Sequence, residues 1–247
     1  MPFIEAIDEH FPEAMKGNYL TLEVNDELRA LGFTPENTVF ANSTCADEIN
    51  RFVTNFGEYW GENFDLGGLA GLPFRGKSGF GAYSHHIPEN GNLFILYAAH
   101  VGVSEKGEWG KVRRKGMKKD TTSCGALTGA LGLLEKDPAY QHPADPDDPE
   151  MPRVIEVVRG SLPSIQKAEI PVIEATEEMY KAVDGWMNRI IGFDAHSDYQ
   201  NIALLGGIQI NTPPGDTDYF LVKNFSVLNR DGTEKDLKPN LQHDHRH

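Results

Sequence analysis

The chain has two cysteines in 247 residues, Cys45 and Cys124, and hydroxyl residues precede both. Ser43-Thr44 lead into Cys45, and Thr121-Thr122-Ser123 lead into Cys124. Ser and Thr satisfy the orphan amides of a helix N-terminus, so both sulfurs are expected at helix starts. The helix dipole and the unpaired N–H groups favour thiolate there, and thiolate is the form that attacks or binds metal. Between the cysteines, His100 ends the apolar run Leu93-Phe94-Ile95-Leu96-Tyr97-Ala98-Ala99. Two thiolates and one imidazole are a recognised catalytic zinc set, because three protein ligands leave a fourth position for water. Two other chemistries use the same residues. Cys45 and Cys124 could form a redox pair, without a Cys-x-x-Cys motif, or Cys45 and His100 a nucleophilic pair, leaving Cys124 without a role. Asp47 and Arg51 are expected one helical turn apart on a face near Cys45, so that a carboxylate and a guanidinium can pair beside the sulfur.

Periodicity outlines the elements that must position these groups. Residues 37 to 42 read as a short buried strand, followed by a helix that opens at Cys45, carries Phe52, Val53, Phe56, Tyr59 and Trp60, and stops near Gly61. Upstream, residues 2 to 32 have helical spacing. Phe3, Ile4, Ile7, Phe11 and Met15 form a first stripe, and a second helix starts near Asn25-Asp26 and ends at Gly32. The run ending at His100 is apolar on both faces, as in a covered parallel sheet. Cys45 and His100 thus fall at carboxyl ends of strands, where ligand chemistry collects in open α/β sheets. A helix is expected from Cys124 to Glu135, a Pro/Asp-rich insertion or linker over residues 142 to 152, and a helix over 165 to 191 broken by Pro171. Strands are expected at 202 to 210 and 219 to 228, the second alternating as if half exposed.

Residues 67 to 88 hold too many glycines for a regular element and make a candidate pocket wall, since glycine permits close backbone approach. Gly71 to Ser78 match the Gly-x-x-x-x-Gly-Lys-Ser frame formally. Pro73 inside it, the lack of an apolar strand before it and the Gly79-Phe80-Gly81 after it argue against a nucleotide site. A formal charge of −14 argues against nucleic acid or an anionic membrane as the main partner. The one basic run, Lys111 to Lys119, reads as a solvated loop. No segment has the unbroken apolar length of a bilayer span, and the acidic start lacks the pattern of a secretory signal or a transit peptide. The expectation is a cytoplasmic chain with one catalytic domain over residues 1–247, an N-terminal helical arm over 1–32 and a flexible tail over 235–247. The tail's His243, His245 and His247 could bind nickel or zinc weakly or belong to a disordered end.

Five stretches taken together carry a resemblance. Cys45-Ala46-Asp47-Glu48-Ile49-Asn50-Arg51, Gly67 to Phe74, Ser84-His85-His86-Ile87-Pro88, His100-Val101-Gly102-Val103 and Ser123-Cys124-Gly125-Ala126-Leu127 are similar to the limiting-CO2-inducible protein B/C family. That family resembles β-carbonic anhydrases in its active site, and the similarity spans most of residues 30 to 230. The resemblance implies an α/β fold with a central, largely parallel sheet flanked by helices and preceded by N-terminal helices. It also implies a homodimer and a zinc ion held by Cys45, His100 and Cys124. The activity implied is reversible hydration of CO2 to bicarbonate by zinc-bound hydroxide, within a CO2-concentrating mechanism. For an algal chain freed of its transit peptide, the compartment would be the chloroplast stroma.

The chain departs from the ordinary β-class pattern, which places its His two residues before the second Cys and uses Cys-x-Asp-x-Arg. Arg51 is assigned to a catalytic dyad with Asp47, and Arg75 is its substitute. Asp47 would accept the hydrogen bond of the hydroxide, or ligate zinc and shut the site. Phe74, Phe80 and Tyr83 are candidates for the apolar wall that holds CO2. His85 or His86, with a reference pKa near 6.5, is a candidate for proton export, or the two form a pair with one packed and one exposed. His196 reads as structural. A reading from another class is a catalytically silent zinc- or bicarbonate-binding scaffold or regulator of inorganic-carbon handling. A cysteine hydrolase or redox protein would hold no stoichiometric metal.

Overall fold

The computed structural model describes residues 1–192 and 199–241. Its first half contains α1 (Pro2–His10), β1 (Met15–Lys16), α2 (Gly17–Ala30), β2 (Thr38–Ser43), α3 (Phe52–Trp60), β3 (Asn63–Asp65), a 3-10 turn at Leu69–Gly71, α4 (Gly76–Ser84) and β4 (Asn92–Gly102). There follow β5 (Lys111–Arg113), β6 (Asp120–Thr122), α5 (Gly125–Lys136), α6 (Met151–Gly160), α7 (Leu162–Ile165), α8 (Pro171–Ile191), β7 (Asn201–Asn211), β8 (Tyr219–Asn229), β9 (Glu234–Asp236) and a 3-10 turn at Lys238–Asn240.

Every residue of β4 is buried, and the reason is its place at the centre of a seven-stranded sheet ordered β1-β8-β7-β4-β2-β3, with β9 also on β8. Side chains alternate along a strand, so a strand covered on both faces must be apolar at nearly every position. Leu93, Ile95, Tyr97, Ala99 and Val101 join the cluster under α1, α4, α5, α6 and α8. Phe94, Leu96 and Ala98 join the cluster under α2 and α3. The stripe Phe52, Phe56 and Trp60 of α3 meets that second face, with Phe56 and Phe94 packed edge-on at 5.4 Å. β3, β2, β4 and β7 run parallel; β8 pairs antiparallel to β7, and β1 and β9 pair antiparallel to β8. The expected mixed α/β fold with a mostly parallel sheet is therefore present.

Several local expectations are corrected. α2 begins at Gly17, because Leu20, Val24 and Leu28 already form a complete buried face; Asn25 lies inside the helix and accepts the indole N–H of Trp60 at 2.8 Å. α4 forms across a stretch expected to be irregular, burying Phe80 and Tyr83. The helix removes one objection to a nucleotide loop, while Pro73 and the short, largely exposed β3 before it remain. The basic run is a β5–β6 hairpin, closed by a cross-strand ion pair between Arg113 and Asp120 at 2.7 Å. α6 starts at Met151 and so takes in the last two residues of the expected Pro/Asp-rich segment, and Pro171 begins α8 instead of breaking a helix. Proline suits a first turn, where its missing N–H would have had no partner. Only Lys223 of β8 is exposed, so that strand is mostly buried.

The described part of the expected tail packs on the sheet: β9 pairs with β8, and Leu237 and Leu241 are buried in the cluster under α2 and α3. The N-terminal helices are also packed, α1 and α2 contributing to the two opposite clusters. His196 and the tail histidines lie outside the described residues. Among the described residues, no helix is long and apolar enough to cross a membrane. Truncating Leu237 to Ala should lower unfolding stability by about 2–4 kcal/mol in a denaturant titration, the cost of a cavity in a closed core; a change below about 0.5 kcal/mol would mean the segment contributes nothing to the fold.

Candidate metal centre

Parallel register brings the first two candidate ligands together. Ser43 at the end of β2 pairs with Tyr97 of β4, so Cys45, two residues on, emerges level with Ala99 and next to His100. The third candidate returns through the hairpin. The Gly102 N–H donates to the Ser123 carbonyl at 3.2 Å and the Ser123 N–H to the Gly110 carbonyl at 3.0 Å, which closes the excursion at its base. Cys124 then stands as N-cap of α5, as expected, beside the strand that carries His100.

Cys45 does not sit at a helix start. α3 begins only at Phe52, and residues 44 to 51 form turns held by side chains. The Asn50 amide donates to the Cys45 carbonyl at 2.9 Å, and the hydroxyls expected to cap are used elsewhere. The Ser43 hydroxyl donates to the Gly71 carbonyl at 2.9 Å, and the Thr44 hydroxyl accepts from the Asn42 amide at 3.0 Å. The sulfur is served instead by the glycine-rich loop, where the Ala70 N–H points at Cys45 Sγ from 3.3 Å. Two glycines permit that approach. A Cβ at Gly67 would lie 2.3 Å from the Thr44 carbonyl oxygen, and one at Gly71 2.1 Å from that of Ala98. Glu150 ties the loop from outside, accepting the Leu69 N–H at 2.8 Å.

The donor atoms of Cys45, His100 and Cys124 all lie within 4.8 Å of one another, and all three residues are buried. The two sulfurs are 3.7 Å apart. Their hydrogen bond, reinforced by burial, pushes the Cys45 thiol well up. Cys124 moves down, because it accepts that bond and the backbone N–H groups of Leu127 and Ala126 outweigh part of its burial. His100 Nδ1 is 2.7 Å from Asn211 Oδ1, while His100 Nε2 is buried with no hydrogen-bond partner. An orphaned imidazole nitrogen beside two thiols is the donor set of a soft or borderline divalent ion, and zinc fits it.

Asp47 pairs with Arg114, not with Arg51. Both of its carboxylate oxygens bind the guanidinium, Oδ2 at 2.8 Å, and Arg114 also reaches Glu48, Thr121 Oγ1 and the Thr122 carbonyl. Burial is the largest influence on the Asp47 carboxyl and pushes it up, but the Arg114 hydrogen bonds and charge, joined by His100 and Glu48, together hold it below the ordinary carboxylate value. Arg51 turns instead to Asp218, at 2.8 Å, since without a helix through residues 47 to 51 nothing stacks it over Asp47. Arg75 precedes α4 and has no ion pair with Asp47. Arg114 escaped the sequence reading because it sits in a run discounted as solvated. Its signal was position, in a segment lying between two candidate ligands.

The expected pocket wall is also corrected. Phe80 and Tyr83 are core side chains, with the Tyr83 hydroxyl donating to the Val39 carbonyl at 2.7 Å. Phe74 is half-buried and packs edge-on against Trp186 at 5.4 Å. His85 and His86 are exposed. The His86 ring neighbours Phe64, whose register partner Ala41 pairs with Ile95, five residues and roughly 17 Å of strand from His100. Within this chain neither histidine reaches the cluster. A cavity of about 400 Å³ lies instead against the Arg114 pair, lined by Glu48, Ile49, Arg51, Val112, Arg113, Arg114, Lys115, Thr212 and Pro214.

Added zinc should bind at one ion per chain and release the proton shared by the sulfurs, so apparent affinity should rise with pH, about tenfold per unit for each proton displaced. Chelator competition between pH 6 and 8 reads this directly; a pH-independent affinity would contradict the thiol pair as ligands.

Comparison with known proteins places the arrangement. The chain matches a solved structure of PtLCIB4, a homolog of the limiting CO2-inducible protein LCIB, at 35% identity over 94% of this chain and 98% of that one, with a TM-score of 0.87. A point mutant of the same homolog matches at 34% identity over 97% and 100%, with a TM-score of 0.90. LCIB itself shares the fold at 20% identity, over 92% and 95% of the two chains, with a TM-score of 0.71. No curated protein matches. Residues 14–229 match the family model described as limiting CO2-inducible proteins B/C, beta carbonic anhydrases, and the chain belongs to that family.

Proposed function

We propose that the chain is a zinc-dependent carbonic anhydrase that interconverts CO2 and bicarbonate. The observation that supports this most is that Asp47 is not one of the converging donors. Three donors converge, while the nearest carboxylate in sequence is held through both oxygens by Arg114. A fourth protein donor would close the site, and without it one position stays free for solvent. Zinc, when bound by Cys45, His100 and Cys124, supplies acidity by lowering the pKa of a coordinated water to about 7.

The remaining work belongs to the chain's own residues. Asp47, kept ionised by Arg114, offers a carboxylate acceptor that orients the attacking water. Ile49, Val112 and Pro214 give the adjoining cavity an apolar surface suited to CO2. Arg51, Arg113 and Arg114 on the same cavity are ion-paired with Asp218, Asp120 and Asp47, so Lys115 is the lining cation that draws bicarbonate, in a chain whose net charge of −14 repels it elsewhere. The reading extends to a homodimer with one catalytic domain per chain, as the resemblance implies.

Stopped-flow CO2 hydration on the zinc-loaded protein tests the assignment. Arg114→Ala should lower kcat/KM by about 100-fold or more with zinc retained, the usual scale for losing a positioned proton acceptor. Arg51→Ala should cost less than about tenfold. Equal losses in the two variants would contradict the Asp47–Arg114 pairing, and a zinc-replete wild type without turnover would favour the silent binding role.

A further inference from the structure

Asn211, the last residue of β7, is fully buried and touches the segments that carry all three candidate ligands. Its amide Nδ2 donates to the Ile49 carbonyl at 3.1 Å, within the turn that follows Cys45. A carbonyl only accepts, so the amide nitrogen must face Ile49 and the amide oxygen must face the other way. That oxygen lies 2.7 Å from His100 Nδ1 and 3.4 Å from the Ser123 hydroxyl, one residue before Cys124. The Nδ1 atom therefore carries the proton, and the lone pair is left on Nε2, the buried atom without a partner.

Asn211 is itself held from behind. The Asp218 carboxylate accepts the Thr212 N–H at 3.0 Å, the Gln209 amide at 3.2 Å and the Arg51 guanidinium at 2.8 Å, and its second oxygen stands 3.5 Å from Asn211 Nδ2. These bonds fix the residues on either side of Asn211 and limit how its amide can turn. Arg51 is the outermost of the groups that hold Asp218.

Resting on the metal-site reading, we propose that Asn211 is the positioning residue of the centre. It selects the His100 tautomer, aims Nε2 at the sulfurs and ties the Cys45 turn to the same point. A merely structural amide would support stability without setting metal affinity.

The test compares wild type, Asn211→Ala and Asn211→Asp. It uses zinc competition against a chromophoric chelator, the visible spectrum after cobalt(II) substitution, and the thermal midpoint of the metal-free protein. Asn211→Ala should weaken zinc about 10- to 100-fold and alter the cobalt spectrum. Asn211→Asp keeps an acceptor at Nδ1 and should recover most of the affinity, although it cannot donate to Ile49 and unfolds at lower temperature. A folded Ala variant with wild-type affinity and spectrum would overturn the proposal. Should the Ala variant fail to fold, a folded Asp variant that binds zinc tenfold or more weakly than wild type would do the same. A wild type that takes up no zinc overturns the metal-site reading, and this proposal with it.

Discussion

The site depends on one constraint, that β2 and β4 end side by side in parallel register while the chain after β4 must come back to the same place. Register delivers Cys45 level with the residues around His100. The backbone bonds among Gly102, Gly110 and Ser123 deliver Cys124. A long separation in sequence is thus closed at its root, and the intervening hairpin becomes part of the site through Arg114. If the hairpin were a free loop, the third donor and the partner of Asp47 would both lose their positions.

Burying two thiols beside an imidazole makes demands that the surroundings answer one by one. The Ala70 N–H serves Cys45, the N-terminus of α5 serves Cys124, and Asn211 serves His100. Each partner comes from a different element, so the donor atoms are held by the fold as a whole, not by a compact local motif. Asp47 is treated differently, with both carboxylate oxygens bound by Arg114. The arginines at the neighbouring cavity are likewise each matched by a carboxylate, Arg51 by Asp218 and Arg113 by Asp120.

Much of this was legible in sequence where the signal was burial. The unbroken apolar run of β4 reads as a strand covered on both faces, which it is, and its end marked His100. Cys124 does stand at a helix start, though the hydroxyls before it do not cap that helix, whereas Cys45 stands at none and its hydroxyl neighbours bond the glycine loop and Asn42. The Asp47–Arg51 pairing fell with the helix expected at Cys45. Phe80 and Tyr83 were mistaken for pocket residues because a glycine-rich segment hid α4, whose buried face they form. Asn211 and Glu150 carried no local signal, since their roles arise from tertiary contacts between distant segments, and Arg114 had only its position between two candidate ligands.

Zinc K-edge X-ray absorption on the zinc-loaded protein tests the central claim most directly, because it counts the atoms around the ion. The expected shell contains two sulfurs at about 2.3 Å and two nitrogen or oxygen atoms at about 2.0–2.1 Å, one from His100 and one from solvent. A shell of nitrogen and oxygen alone, or with a single sulfur, would contradict it.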